Sequence, residues 1–112
     1  MSMEKLMEEV KECVEHEYSR ASDAYGPTNH SDHESYAIIL EEFQEAKTEL
    51  MYCSHDLDKL WEFIKSDLRD SEKRGVLRTI QYHALLAACE FIQVAATAYK
   101  ALVTSELRRE RQ

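Results

Sequence analysis

Glycine and proline are almost missing from this chain, with two glycines and one proline in 112 residues. A β-sandwich or barrel reverses direction many times and uses those residues to do it, so an all-β fold is excluded. With Gly26 and Gly75 the only glycines, neither a P-loop nor a Rossmann phosphate turn can be assembled, because each needs several glycines close together. The cysteines, Cys13, Cys53 and Cys89, are odd in number and widely spaced. They do not make a disulfide framework or a cysteine zinc site, and their usage fits a reducing cytoplasm. Cys13 and Cys89 read as small core residues. No unbroken apolar run approaches the length of a bilayer, and the opening segment interleaves Glu4, Glu8 and Glu9 with Lys5 and Lys11. Neither a membrane span nor a signal peptide is expected. Positive charge is also scarce: 14 Lys and Arg stand against 22 Asp and Glu, for a net charge of −8. Nucleic acid and anionic membranes both require a positive field that such a molecule lacks.

What is present is a helical pattern. Hydrophobic residues make up 44% and charged residues 32% of the chain, enough for one core and a solvated surface, and the length suits a single domain over 1–112. Apolar positions recur at three-and-four spacing over about 4–25, where Gly26 and Pro27 stop them. Ser31 or Asp32 can cap the helix that follows the loop over 26–32. From Tyr36 the seam continues through Leu40, Phe43, Leu50, Leu57, Trp61, Ile64 and Leu68, and Ser54 to Asp56 suggests a weak break, giving helices over 33–53 and 56–68. Arg69 to Gly75 reads as a polar turn before a last helix over 76–107. Between Ala84 and Val103 that helix is apolar on nearly every side, the mark of a helix packed around most of its circumference. The expected fold is an all-α antiparallel bundle of three to four helices whose core is completed by a homodimer or homotetramer. Trp61, lying in the seam, is expected in core or interface.

Two groups of residues could carry chemistry. At about 100° per residue, Glu34, Glu41, Glu42, Glu45 and Glu49 share one stripe, opposite the apolar seam. In the last helix, Glu90, Gln93, Thr97 and Lys100 form a narrow polar stripe that His83 joins two turns earlier. A carboxylate in a mostly apolar helix costs several kcal/mol unless it is paired or bound to a cation. Glu42 with Glu45, and Glu90 with Gln93, are pairs three residues apart, so two facing helices can bring four oxygens to one point. Oxygen-only ligation selects a hard cation, Mg²⁺ or Mn²⁺, and such an ion would also let a strongly acidic protein hold a triphosphate. The E-x-x-H spacing of helical di-iron centres does not occur.

Glu41-Glu42-Phe43-Gln44-Glu45 reads as E-E-x-x-E, and Glu90-Phe91-Ile92-Gln93 as E-x-x-D with Gln in the last place. Together they resemble the signature of the MazG-like all-α nucleoside triphosphate pyrophosphohydrolases. The flanking His33-Glu34-Ser35-Tyr36-Ala37 and Gln93-Val94-Ala95-Ala96 are similar to short phage and bacterial members, and the likeness covers roughly residues 31 to 103. The resemblance implies Mg²⁺-dependent hydrolysis of a nucleoside triphosphate to the monophosphate and pyrophosphate, in an oligomer of helical bundles. It implies Glu42, Glu45 and Glu90 as metal ligands, Gln93 in the fourth ligand place, and Glu41 holding a second metal or orienting the attacking water. Gln93 departs from the pattern, since a neutral amide oxygen attracts a cation less than a carboxylate does. The alternative is a catalytically silent helical scaffold that keeps the fold.

Lys100 could meet a phosphate, although a lysine so placed also snorkels to solvent. His83 could contact substrate or be a satisfied core histidine. His30 and His33 make an H-x-x-H, which without further ligands reads as a loop and first helical turn rather than a zinc site.

Overall fold

The computed structural model describes residues 2–110, and the regular structure among them is three helices, α1 (Met3–Tyr25), α2 (Asp32–Lys65) and α3 (Asp70–Glu110). The fold is all-α, as the scarcity of glycine and proline demands. Each helix end has a local cause. Ser2 caps α1 by accepting from the Lys5 amide at 3.1 Å. Gly26 ends α1 with φ at 91°, a conformation that favours glycine. Ser31 caps α2 by accepting from the Glu34 amide at 3.1 Å, and Glu34 stands three residues on, the spacing of a capping box. At the far end of α2, the Leu68 amide donates to the Phe63 carbonyl and the Asp67 amide to the Ile64 carbonyl, both at 3.1 Å. Asp67 has φ at 52°. That is a Schellman stop with aspartate where glycine is usual.

The bounds of α2 and α3 differ from the sequence expectation. Helix α2 has no break at Ser54 to Asp56; Ser54 and His55 are exposed on its outer side, where their polar groups face water instead of disturbing the helix. It also stops at Lys65, short of Leu68. The expected turn over Arg69 to Gly75 is the first turn of α3 instead, with Asp70 and Glu72 placed to favour a helix start. Lys73 and Asp70 pair at 3.4 Å within that turn. Gly75 is therefore an interior helical residue.

The helices contribute to two compact units. In the unit formed by residues 2–43 and 91–110, Tyr18 and Tyr99 meet edge to face with ring centroids 4.8 Å apart. Buried Asn29 ties the loop down: its amide donates to Thr104 Oγ1 at 2.9 Å and its side chain to Ser35 Oγ at 2.8 Å. Arg108 and Asp32 pair at 2.9 Å.

The other unit, residues 44–90, is a helical hairpin. The α2 residues with reduced exposure there are Ala46, Glu49, Cys53, Asp56, Leu60 and Phe63, at alternating three and four spacing. Facing them on α3 are Val76, Ile80, His83, Ala87 and Glu90. The Cys53 thiol meets the Ile80 carbonyl at 4.0 Å, which fixes the antiparallel register. The apolar seam lies on the other side: Leu50, Leu57 and Trp61 remain 54%, 53% and 57% exposed. Nor is α3 packed around its circumference, since Leu85 and Leu102 are exposed. One chain supplies too few neighbouring helices to cover them. By length and composition alone, α3 could also cross a bilayer, but its apolar stretch carries Glu90 and Lys100 on one polar stripe.

Candidate metal centre

Within the hairpin, α2 presents Glu45 and Glu49 to Glu90 of α3. Glu42 stands one helical turn before Glu45 on the unbroken α2. One carboxylate oxygen from each of Glu42, Glu45 and Glu90 lies within 4.8 Å of the other two. Among the described residues, this is the group of three or more such side chains close enough to share an ion. The expectation that two pairs on facing helices converge is thus met for three of their four members.

The electrostatics match the geometry. The Glu90 carboxyl is held above the ordinary carboxylate range, first because burial strips it of water. The charge of Glu45, a hydrogen bond shared with Glu45, and the charge of Glu49 add to the rise. Loss of water and neighbouring negative charge both disfavour the ionised form, which is why the carboxyl rises. The donors are all hard oxygens, the chemistry that suits Mg²⁺ or Mn²⁺ and does not favour Zn²⁺. The residues present therefore fit a hard divalent ion.

The remaining candidate residues fall elsewhere. Glu41 is exposed and outside the group, about 100° around α2 from Glu42. Gln93 hydrogen-bonds the carboxylate of Glu17 on α1. That bond, followed by those from Arg20, holds Glu17 below its ordinary range. Because a carboxylate only accepts, the Gln93 amide nitrogen makes this contact. Lys100 is half-buried, and its carbonyl accepts from Thr104 at 2.8 Å. His30 pairs with Glu34 at 3.1 Å on the surface, and His33 is exposed; neither belongs to a metal group. Cys13 and Cys89, expected in the core, are exposed.

His83 lies between acids. Its Nδ1 is 2.8 Å from Glu49 Oε2, and its Nε2 is 4.0 Å from Asp56 Oδ2. Glu49 and Asp56 were not singled out in the sequence: the first was one of five acids on a stripe, the second sat in the expected break. The heptad-like row from Ala46 to Phe63 was the signal that marks both as inward-facing.

No family model, curated protein or solved structure matches the chain.

Proposed function

We propose that this protein hydrolyses a nucleoside triphosphate to the monophosphate and pyrophosphate with the help of Mg²⁺ or Mn²⁺. The observation that carries this reading is the convergence of Glu42, Glu45 and Glu90 from two helices, supported by a Glu90 carboxyl raised by burial and by the acids beside it. These three side chains would hold the ion. Bound there, a divalent cation would offset phosphate charge and make a coordinated water more acidic. The part played by the residues themselves would be to fix the ion on two helices, so that a triphosphate could be held beside the hairpin despite the net charge of −8. The resemblance to MazG-like enzymes supplies the class of substrate, and no residue identifies the base or sugar.

The exposed seam of α2 is assigned to a second copy of the chain, as a homodimer or homotetramer. Leu50, Leu57, Trp61 and Ile64 form a row along one side of a two-helix hairpin, and a hairpin alone is a poor core in water. Light scattering at micromolar concentration tests this, and a strict monomer refutes it.

The deciding assay is pyrophosphate release from a panel of standard and modified NTPs and dNTPs with Mg²⁺ or Mn²⁺. Turnover is expected for the wild type and absent for Glu45→Gln and Glu90→Gln. No turnover of any substrate, with no metal-dependent rise in melting temperature, would refute the reading. One observation favours a second reading, that of a silent scaffold: the Gln93 side chain is used to bind Glu17 on α1, a structural task. The scaffold predicts assembly without turnover.

A further inference from the structure

Two acids that face each other across a helical hairpin push the helices apart, so something must hold them at a spacing an ion can bridge. Inside the hairpin, the other ion pairs among the described residues are local to one stretch of chain: Lys65 with Glu62, Arg69 with Glu72, and Lys73 with Asp70. Among the described residues of the hairpin, His83 alone reaches across as an ion pair, from α3 to Glu49 of α2 at 2.8 Å and more distantly to Asp56 at 4.0 Å. Both side chains are only 20% exposed. Because a carboxylate only accepts, His83 Nδ1 carries the hydrogen. The ring is also held by its neighbours, with the Tyr52 and Tyr82 centroids 5.2 Å and 5.4 Å from its own.

The register places this bond next to the carboxylate group. Glu49 is one turn after Glu45 on α2, and His83 is two turns before Glu90 on α3, both on the faces that meet. From this geometry we infer that His83 is a positioning residue for the cation site and acts through Glu49: it pins α2 to α3 one turn from Glu45 and two turns from Glu90, and it fixes a fourth acid near them. This inference rests on the metal-dependent reading above. It gives His83 a task different from contact with substrate.

The sign of one substitution separates positioning from mere charge. A positive or polarising group beside a cation site, with no other role, opposes cation binding, so its removal would strengthen binding. A positioning group does the reverse, because loss of an outer-shell partner typically weakens metal affinity about 10-fold to 100-fold.

The experiment is calorimetric titration of Mn²⁺ into the full chain, with folding checked by circular dichroism. His83→Leu should weaken binding by about 10-fold or more, and Glu49→Gln should weaken it similarly. His83→Asn, which returns a donor close to the place of Nδ1, should stay within about threefold of the wild type. The double variant His83→Leu with Glu49→Gln should bind no more weakly than the weaker single, because both remove one interaction. Unchanged or tighter binding by a folded His83→Leu, or additive losses in the double variant, would overturn the inference. If His83→Leu does not fold, His83→Asn and Glu49→Gln decide: near-normal binding by the first with weak binding by the second supports the pair, and normal binding by Glu49→Gln overturns it. A wild type that binds no Mn²⁺ overturns both this inference and the proposed function. Normal binding by every His83 and Glu49 variant, with loss in Glu90→Gln, overturns the inference alone.

Discussion

Glu90→Gln should make the apo protein more stable and the Mn²⁺-loaded protein less so. The magnitude follows from the spacing. Two unit charges 4.8 Å apart repel by about 3.5 kcal/mol at an effective dielectric of 20, and by about 0.9 kcal/mol in water. Glu45 is exposed, so the lower figure is the better guide, and Glu49 and Glu42 add to it. A gain of about 1 kcal/mol corresponds to a rise of about 5 °C in Tm for a domain of this size. Glutamine suits the test because its amide can still donate to Glu45, as the protonated acid does. The pH dependence gives an internal check. The folded Glu90 carboxyl lies above its ordinary 4.5, so folding is penalised when Glu90 is ionised and the penalty is relieved as pH falls through the raised value toward 4.5. The stability advantage of Glu90→Gln should therefore be largest near neutral pH and shrink on acidification. With Mn²⁺ at about 100 times its Kd the wild type gains about 2.7 kcal/mol, which the variant should lack, so the order of melting temperatures inverts. A lower apo Tm for Glu90→Gln at neutral pH would mean that Glu90 is a structural acid with another partner, and the site assignment would fail.

Other substitutions test the surroundings. Gly75 is exposed inside α3, and a Cβ there meets nothing within 4 Å, so Gly75→Ala should stabilise by about 1 kcal/mol in thermal or urea unfolding. Asp67→Gly should also stabilise, by about 1 kcal/mol, because it relieves a left-handed backbone and removes an acid from the carbonyl end of α2; Asp67→Ala keeps the backbone strain and should not match it. Gln93→Asp sets a carboxylate near Glu17 in place of an amide, so the apo protein should lose about 1 kcal/mol by denaturant titration, while Mn²⁺ affinity rises if the fourth ligand place is real.

The sequence carried the helix boundaries less well than the stripes. Three-and-four spacing identified α1 to its last residue, since Gly26 needs a positive φ there. It misplaced the junction of α2 and α3 because Asp67 does glycine's work at the helix stop, while Gly75, the residue that looked like a turn, lies within a helix. The acids of the carboxylate group were legible from their spacing on two helices. Their neighbours were not: periodicity shows that an acidic stripe and an apolar stripe lie on opposite sides of α2, and contains nothing to say which of them meets α3. Cys53 opposite Ile80 and Glu49 opposite His83 settle that in favour of the polar side. The position of Gln93 against α1 was equally hidden, because Glu17 belongs to a helix distant in sequence.

This orientation gives α2 two separable tasks. Its inward row sets Glu49 and Asp56 among Ala46, Cys53, Leu60 and Phe63, and Asp56 Oδ2 is buried without a hydrogen-bond partner, so the hairpin contact mixes apolar burial with the cost of burying acids. Its outward row holds Leu50, Leu57, Trp61 and Ile64, each worth about 1.5–3 kcal/mol once covered. Assembly should then supply much of the stability that the acid-lined hairpin lacks. If the proposed assembly covers this seam, Leu57→Ala should lower the melting temperature and weaken self-association, yet leave Mn²⁺ affinity of the assembled protein within about twofold, since Leu57 lies on the side of α2 away from Glu45. Glu45→Gln should do the opposite, abolishing Mn²⁺ binding while leaving the association constant as it was. Sedimentation and calorimetry on the two variants measure both quantities. If Leu57→Ala removed metal binding as fully as Glu45→Gln does at concentrations where it remains assembled, the two faces of α2 would not be independent, and the outward seam could not be assigned to a partner copy alone.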